Sequence, residues 1–132
     1  MKELREFFEK KDRFAKFLGL HIEEIGEGFA TITTTIKEEH LNGADVVHGG
    51  FLFSLADYAF AVASNSKNNL SLAINANILF SKAKSGGKLF AKAKELSDGK
   101  KIATYEVRIS DEEDNTIATF TGTVYRKGVN VV

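Results

Sequence analysis

Residues 42–57 read Asn42-Gly-Ala-Asp-Val-Val-His-Gly-Gly-Phe-Leu-Phe-Ser-Leu-Ala-Asp57, and this stretch decides how the rest of the chain is interpreted. A glycine pair, Gly49-Gly50, opens a run of apolar residues, and one carboxylate, Asp57, lies in the middle of that run. The run, roughly 49–66, is apolar nearly all round, which predicts a helix surrounded by protein. A carboxylate in such a helix is costly without a partner, so Asp57 is a candidate functional group.

The composition excludes several classes of function. The chain has 132 residues, 43% hydrophobic and 27% charged, which predicts one globular domain over residues 1–132 with one core. Basic and acidic residues number 18 each, so no overall field favours nucleic acid or a membrane surface. There is no cysteine, and the three histidines lack the spacing of a helical metal pair, so no metal site is expected.

The charged N-terminal segment does not resemble a signal peptide. The longest apolar run, near residues 51–63, is too short for a membrane span and is interrupted by Ser54 and Asp57. We therefore expect a cytoplasmic enzyme or binding module without a membrane partner.

Hydrophobic periodicity predicts the order of the remaining elements. Residues 4–18 predict one surface helix with a buried apolar face that includes Phe14 and Phe17. A hairpin is predicted around Gly26-Glu27-Gly28. After the central helix, four further strands are predicted near 71–81, 88–97, 101–110 and 115–126. This order indicates an α+β fold in which an antiparallel sheet curls around the central helix.

Gly50, Ser54 and Asp57 are spaced by four and three residues, so a helix places them on one face. That face is either a packing seam whose aspartate finds a buried hydrogen bond, or a place for chemistry. The glycines either permit a tight entry turn or let a substrate carbonyl approach the unpaired N–H groups of the first turn. The residues alone leave both interpretations open.

Ideal helix geometry separates the two candidate groups. Seven residues at about 1.5 Å each put Gly50 and Asp57 about 10 Å apart along the helix. A group attacking a carbonyl bound at the Gly50 amide must lie about 3 Å from it. Asp57 of a second copy of the chain can reach that position, whereas Asp57 of the same chain cannot, which predicts a site shared between two subunits.

The same residues resemble the signature of hotdog-fold acyl-CoA thioesterases, in the phenylacetic-acid-degradation (PaaI-like) branch. The motif stands here as Asn42, His48-Gly49-Gly50 and Leu55-Ala56-Asp57, and the likeness extends over about residues 18–126. The resemblance implies a hotdog fold, an antiparallel sheet around a long central helix. It also implies homodimers with shared active sites, commonly paired into homotetramers, and no cofactor beyond the coenzyme A of the substrate.

The resemblance also implies roles for individual residues. The Gly50 amide of one subunit would polarise the thioester carbonyl, facing Asp57 of the other subunit as general base or nucleophile. Asn42 would hold the water or the thioester, and His48 would shape the region that receives the developing oxyanion. Further predicted substrate contacts are Gly49 and Ser54. An assisting hydroxyl on the strand after the helix, present in some relatives, stays unassigned.

Lysines outnumber acidic residues between Lys82 and Lys101. In relatives the phosphates of coenzyme A bind near the end of this strand, so Lys82 and Lys84 are expected to contact them. The alternative is a solvated face, since lysine also protects exposed sheet edges.

Two other functions compete with hydrolysis. A non-catalytic module that binds acyl-CoA or another apolar ligand is the main alternative, and the intact set of Asn42, Gly50 and Asp57 disfavours it. A hotdog dehydratase would pair a histidine with a nearby acidic residue, whereas His48 has none on the helix before Asp57.

Overall fold

The computed structural model describes residues 1–132 and contains six strands around one long helix. The helices are α1 (Lys2–Lys11), α2 (Arg13–Leu18) and α3 (Gly49–Ser64), with a 3₁₀ turn at Glu38–His40. The strands are β1 (His21–Gly26), β2 (Phe29–Thr35), β3 (Ser71–Phe80), β4 (Lys88–Asp98), β5 (Ile102–Asp111) and β6 (Thr116–Arg126). The sheet order is β1-β2-β4-β5-β6-β3, and every neighbouring pair is antiparallel. The predicted α+β architecture is confirmed.

One face of the sheet packs on α3, mainly through β2, β4 and β5. Alternate residues of β5 are fully buried, as the period of a half-buried strand requires: Ala103, Tyr105, Val107 and Ile109. Small residues dominate the contact region, because Ala91 and Ala93 of β4 share the core with Ala56 and Ala59 of α3. These short side chains let the helix lie close to the sheet.

A glycine of β6 marks the closest approach. A Cβ on Gly122 would lie 2.7 Å from the Phe60 ring and 3.0 Å from the Phe120 ring. The two rings pack against each other with their centroids 5.4 Å apart, so neither can move freely into other space. Position 122 therefore has no room for a side chain.

The predicted single helix over residues 4–18 is wrong, because the chain bends at Asp12. Asp12 ends α1, and its Oδ1 accepts a hydrogen bond from Ala15 N at 3.0 Å, which caps α2. The bend starts a second helix axis, so the apolar face of an uninterrupted helix does not form. Phe14 and Phe17, expected on that face, are 60% and 83% exposed.

A buried histidine anchors the loop that leads into α3. His40 Nδ1 accepts a hydrogen bond from Lys37 N at 3.0 Å, and His40 Nε2 donates to Leu18 O at 3.1 Å. The ring stacks on Phe51 of α3 with the centroids 3.8 Å apart. Burial lowers the pKa of His40, which favours the neutral ring that these bonds require. The sequence identified His40 only as a loop residue.

Two features are not found in this structure. None of its helices combines the length and apolarity needed to cross a lipid bilayer. No three side chains of the kinds that ligate metals are grouped around a common point.

Gly122→Ala is expected to lower the free energy of unfolding by about 1–3 kcal/mol, because the methyl group collides with two packed rings. In an unstrained position the same change stabilises a protein slightly. Gly86→Ala is the matched control, since nothing lies within 4 Å of its Cβ position. Urea unfolding of both variants measures the difference, and equal stabilities would contradict the tight contact.

Candidate active site

The start of α3 leaves one backbone donor free. A helix has four N-terminal N–H groups that its own turns cannot satisfy. His48 O accepts hydrogen bonds from Phe51 N at 3.0 Å and Leu52 N at 3.1 Å, and His48 Nδ1 accepts one from Gly50 N at 2.8 Å. The Gly49 N–H has no acceptor within the chain. The sequence prediction selected the Gly50 amide, but in the structure that amide donates to the capping His48 side chain, whereas the Gly49 amide is unpaired.

A cavity of about 340 Å³ surrounds this free amide. Its lining includes Asn42, Gly49 and Lys82, which the sequence predicted as site residues, together with Leu52 and Phe80. A Cβ on Gly49 would lie 3.1 Å from the Phe80 ring, so the missing side chain keeps the amide open to the cavity.

Asn42 organises the loop beside this cavity. Its Oδ1 accepts hydrogen bonds from Ala44 N at 2.9 Å and from Val46 N at 3.3 Å. These two backbone donors identify the oxygen of the side-chain amide. The NH₂ group has no acceptor in the chain, so Asn42 can offer a donor to a bound molecule.

Asp57 lies in a second cavity, of about 230 Å³. Residues of α3 line one side of it, and the bend between α1 and α2 lines the other; the members are Asp12, Phe14, Ala15, Leu20, Phe53, Ser54, Asp57 and Tyr58. Burial raises the pKa of Asp57, and the carboxylate of Asp12 raises it further. No hydrogen bond offsets these two effects. A desolvated, unpaired carboxylate in a cavity is a typical mark of a functional group.

Ser54 and His48 make bonds that the sequence did not show. Ser54 Oγ donates to Gly50 O at 2.8 Å within the helix. Its oxygen can still accept a hydrogen bond from a molecule bound in the Asp57 cavity. His48 is exposed, and its Nδ1 is occupied by the Gly50 amide. The ring therefore fixes the conformation of the glycine pair.

Five of the eight predicted site residues form two separate groups in one chain, and the other three, His48, Gly50 and Lys84, line neither cavity. Asn42, Gly49 and Lys82 line the first cavity, whereas Ser54 and Asp57 line the second. Neither cavity contains both the free amide and the carboxylate. One chain by itself therefore does not bring the free amide and the carboxylate into a common cavity.

The two predicted lysines differ in their surroundings. Lys82 is exposed at the mouth of the first cavity. Lys84 Nζ forms ion pairs with Asp111 at 3.2 Å and Glu112 at 3.5 Å, and the Asp111 side chain is only 2% exposed. The expected phosphate contact is therefore not supported for Lys84, whose charge compensates a buried carboxylate.

The structure also separates the aromatic residues of α3. Phe51 and Phe60 belong to the core, and only Phe53, 37% exposed, lies beside Asp57 with a surface open to solvent.

Sequence reasoning missed Asp12 and Phe14 as neighbours of Asp57. The available signal was Asp12 as an N-cap with Gly19 after the last turn, because Gly19 has the left-handed conformation (φ 78°) that ends α2.

A six-stranded antiparallel sheet wrapped around one long helix is the architecture of the hotdog class of folds. The Thioesterase superfamily model matches residues 44–118. Acyl-coenzyme A thioesterase PaaI of Escherichia coli (strain K12) is 39% identical over 120 residues, covering 90% of this chain and 86% of that protein.

Solved structures of PaaI-like proteins also superpose closely on this chain. The E. coli PaaI protein from the phenylacetic acid degradation operon superposes with a TM-score of 0.95 at 36% identity, covering 99% of this chain and 96% of that one. A protein from Thermus thermophilus superposes with a TM-score of 0.84 at 35% identity, covering 88% of this chain and 98% of that one. The chain belongs to the thioesterase superfamily, in the PaaI-like branch of hotdog-fold acyl-CoA thioesterases.

Proposed function

We propose that this protein hydrolyses acyl-CoA thioesters to a free acid and coenzyme A, at active sites that two copies of the chain complete together. The observation that carries the proposal is the unpaired, desolvated carboxylate of Asp57 in a member of the thioesterase superfamily. The 39% identity to the acyl-CoA thioesterase of E. coli supports the substrate class.

The carbonyl of the thioester is polarised at the start of α3. Hydrolysis places negative charge on the carbonyl oxygen, and a fixed N–H group at a helix N-terminus stabilises that charge without reorganisation. We assign this role to the Gly49 amide, because it is the unpaired one, rather than to Gly50 as the sequence suggested. Gly50 and His48 then hold the glycine pair in position, and the Asn42 NH₂ group donates to the water or the thioester.

Asp57 acts on the other side of the carbonyl. As general base it takes a proton from water while the water oxygen bonds to the carbonyl carbon; the carbon–sulfur bond then breaks and the proton passes to the leaving thiolate. As nucleophile its oxygen bonds to the carbonyl carbon, the carbon–sulfur bond breaks and coenzyme A leaves as the thiolate. Water then cleaves the resulting anhydride, which regenerates the carboxylate and releases the acid, and the proton of that water neutralises the thiolate. Both routes need the ionised carboxylate, and a raised pKa increases its affinity for the proton.

A second copy of the chain is the partner that brings amide and carboxylate together. Strand β3 pairs with β6 on one side only, and its ten residues carry no charge. It exposes Leu72, Ile74, Leu79 and Phe80 by half or more. Natural edge strands normally carry charges or end early. Pairing of β3 with β3 of a second copy covers this edge next to Gly49 and extends the sheet across the dimer.

We assign Lys82 to the phosphates of coenzyme A; its exposure and its position in the lining of the Gly49 cavity support this role. The acyl group lies against Asp57, Phe53 and Phe14. The cavity that contains Asp57 measures about 230 Å³. An apolar cavity of about 150 Å³ is enough to hold benzene. Aryl- and arylacetyl-CoA are therefore among the proposed substrates. The tetramer and the cytoplasmic location implied by the resemblance stay predictions.

Asp57→Asn is expected to reduce kcat for acyl-CoA hydrolysis by at least about 10³-fold, because an amide neither accepts the proton nor attacks the carbonyl. Thiol release from short, medium, long-chain and arylacetyl-CoA measures the loss. The fold should survive: a raised carboxyl pKa means that ionisation of Asp57 destabilises the native state as the pH rises through that pKa. At neutral pH the variant should therefore be no less stable than the wild type, and full turnover in it would refute the assigned role.

Subunit mixing tests whether the site is shared. Asn42→Asp keeps an oxygen for Ala44 N and Val46 N but removes the NH₂ donor, so it is expected to impair the amide half of the site. Co-expressed with Asp57→Asn, it forms mixed dimers with one intact and one doubly altered site. A random mixture should regain about a quarter of the wild-type turnover. A mixture as inactive as its parents would place amide and carboxylate in the same chain.

Lys82→Ala is expected to raise KM for acyl-CoA severalfold with little change in kcat, because it removes a charge from phosphate binding and none from the reacting atoms. A truncated acyl thioester without phosphates should show no such change in KM. Lys84→Ala is the matched comparison, and its main effect should be on stability, since it leaves the buried Asp111 without its cation. Equal KM changes for both thioesters would contradict the phosphate contact.

A further inference from the structure

We propose that Asp12, at the bend between α1 and α2, is a positioning residue of this active site, whose charge acts on Asp57 across the cavity that they share. The proposal rests on the function proposed above, since it assigns a second carboxylate to the same reaction. Asp12 does not itself touch the thioester.

The placement of Asp12 is fixed by the backbone around it. Asp12 Oδ1 accepts a hydrogen bond from Ala15 N at 3.0 Å, so the carboxylate is held where α2 begins. Both Asp12 and Asp57 line the cavity of about 230 Å³. Turning the carboxylate away from the cavity would break this hydrogen bond and remove the cap of α2.

The cavity contains no cation that would compensate either carboxylate. Its other members are apolar or neutral: Phe14, Ala15, Leu20, Phe53, Ser54 and Tyr58. Like charges repel more strongly beside apolar surface than in water, so the proton affinity of a neighbouring carboxylate rises. Burial has the larger effect on the pKa of Asp57, and the charge of Asp12 raises that pKa further.

Other titratable groups near the bend lie in a different cavity. Glu9 of α1, Lys16 of α2 and His21 of β1 line a neighbouring cavity of about 240 Å³ with Asp12 and Tyr58, but none of them lines the Asp57 cavity. Burial and Asp12 also raise the pKa of Tyr58, which stays protonated and uncharged. Within one chain, the charge that faces Asp57 from the elements around it is therefore that of Asp12.

The capping role alone does not require this charge. Serine and asparagine cap helices about as well as aspartate, so the backbone of α2 needs only an acceptor at position 12. A second carboxylate next to a catalytic one keeps the latter's proton affinity closer to neutral pH, where a general base is most effective. The negative charge at position 12 thus raises the proton affinity of Asp57, whereas the oxygen atom caps α2.

The test compares the pH dependence of kcat/KM for acyl-CoA hydrolysis in wild type, Asp12→Asn and Glu9→Gln. Asp12→Asn keeps the cap and removes the charge, so the acidic limb should move to lower pH. The ratio of variant to wild-type kcat/KM should therefore increase as the pH falls. Glu9→Gln removes a charge from the same segment outside the Asp57 cavity, and its acidic limb should coincide with that of the wild type.

A profile for Asp12→Asn that superimposes on the wild type would overturn the proposal, and so would an equal displacement in Glu9→Gln. A carboxyl NMR titration of Asp57 in wild type and Asp12→Asn measures the same coupling without turnover. If the wild type hydrolyses no acyl-CoA, the proposed function fails, and the titration still decides whether Asp12 acts on Asp57. An unchanged Asp57 titration refutes the coupling even in an active enzyme.

Discussion

The structure depends on the burial of one helix from one side. Helix α3 is apolar around most of its circumference, and the sheet covers only the side that carries Leu55, Ala59 and Val62, all fully buried. The opposite side, with Phe53, Ser54 and Asp57, is covered only in part, by the bend between α1 and α2. A carboxylate on that side is sheltered from water without being sealed in the core. The unequal covering of α3 thus creates the chemical environment of Asp57.

The same helix also keeps the free Gly49 amide and the Asp57 carboxylate at a fixed separation. Its first turn presents a free amide, and its carboxylate follows two turns later, so a rigid α3 separates them by a fixed distance. No rotamer of Asp57 shortens the helix. A second α3 in the opposite orientation removes the conflict, and the uncharged edge of β3 offers a surface on which that second copy can pair. In the proposed function, catalysis and association both follow from this fixed distance along α3.

The architecture could be predicted from the sequence because each main element has a hydrophobic pattern that is visible within its own residues. The alternation in β5 and the apolar run of α3 each have a period that belongs to one kind of element, and the structure agrees with both. The division of the N-terminal helix at Asp12 was not predicted, since a single capping hydrogen bond outweighed an otherwise continuous helical pattern. The exposure of Phe14 and Phe17 follows from that one bond.

Details of the site were harder to predict, because they depend on which groups are already satisfied. The motif placed Asn42, the glycine pair and Asp57 near a helix start and its middle, as the structure has them. It could not show that His48 accepts a hydrogen bond from the Gly50 amide, because that bond depends on the rotamer of the His48 side chain. It also could not show that Lys84 pairs with the buried Asp111, because these residues are far apart in the sequence. Motifs identify the participants, and the hydrogen-bond pattern decides which of them are free to react.

The surroundings of Asp57 run against what stability alone would favour. A carboxylate whose pKa is raised in the folded state stabilises the protein only while it is protonated, and that contribution is lost as the pH rises through the folded pKa. Above that pKa the chain holds a charge that burial and Asp12 both disfavour, with no hydrogen bond to offset them. An apolar residue at this position would avoid the penalty. Strain of this kind is expected where the unfavourable charge is the one that reacts.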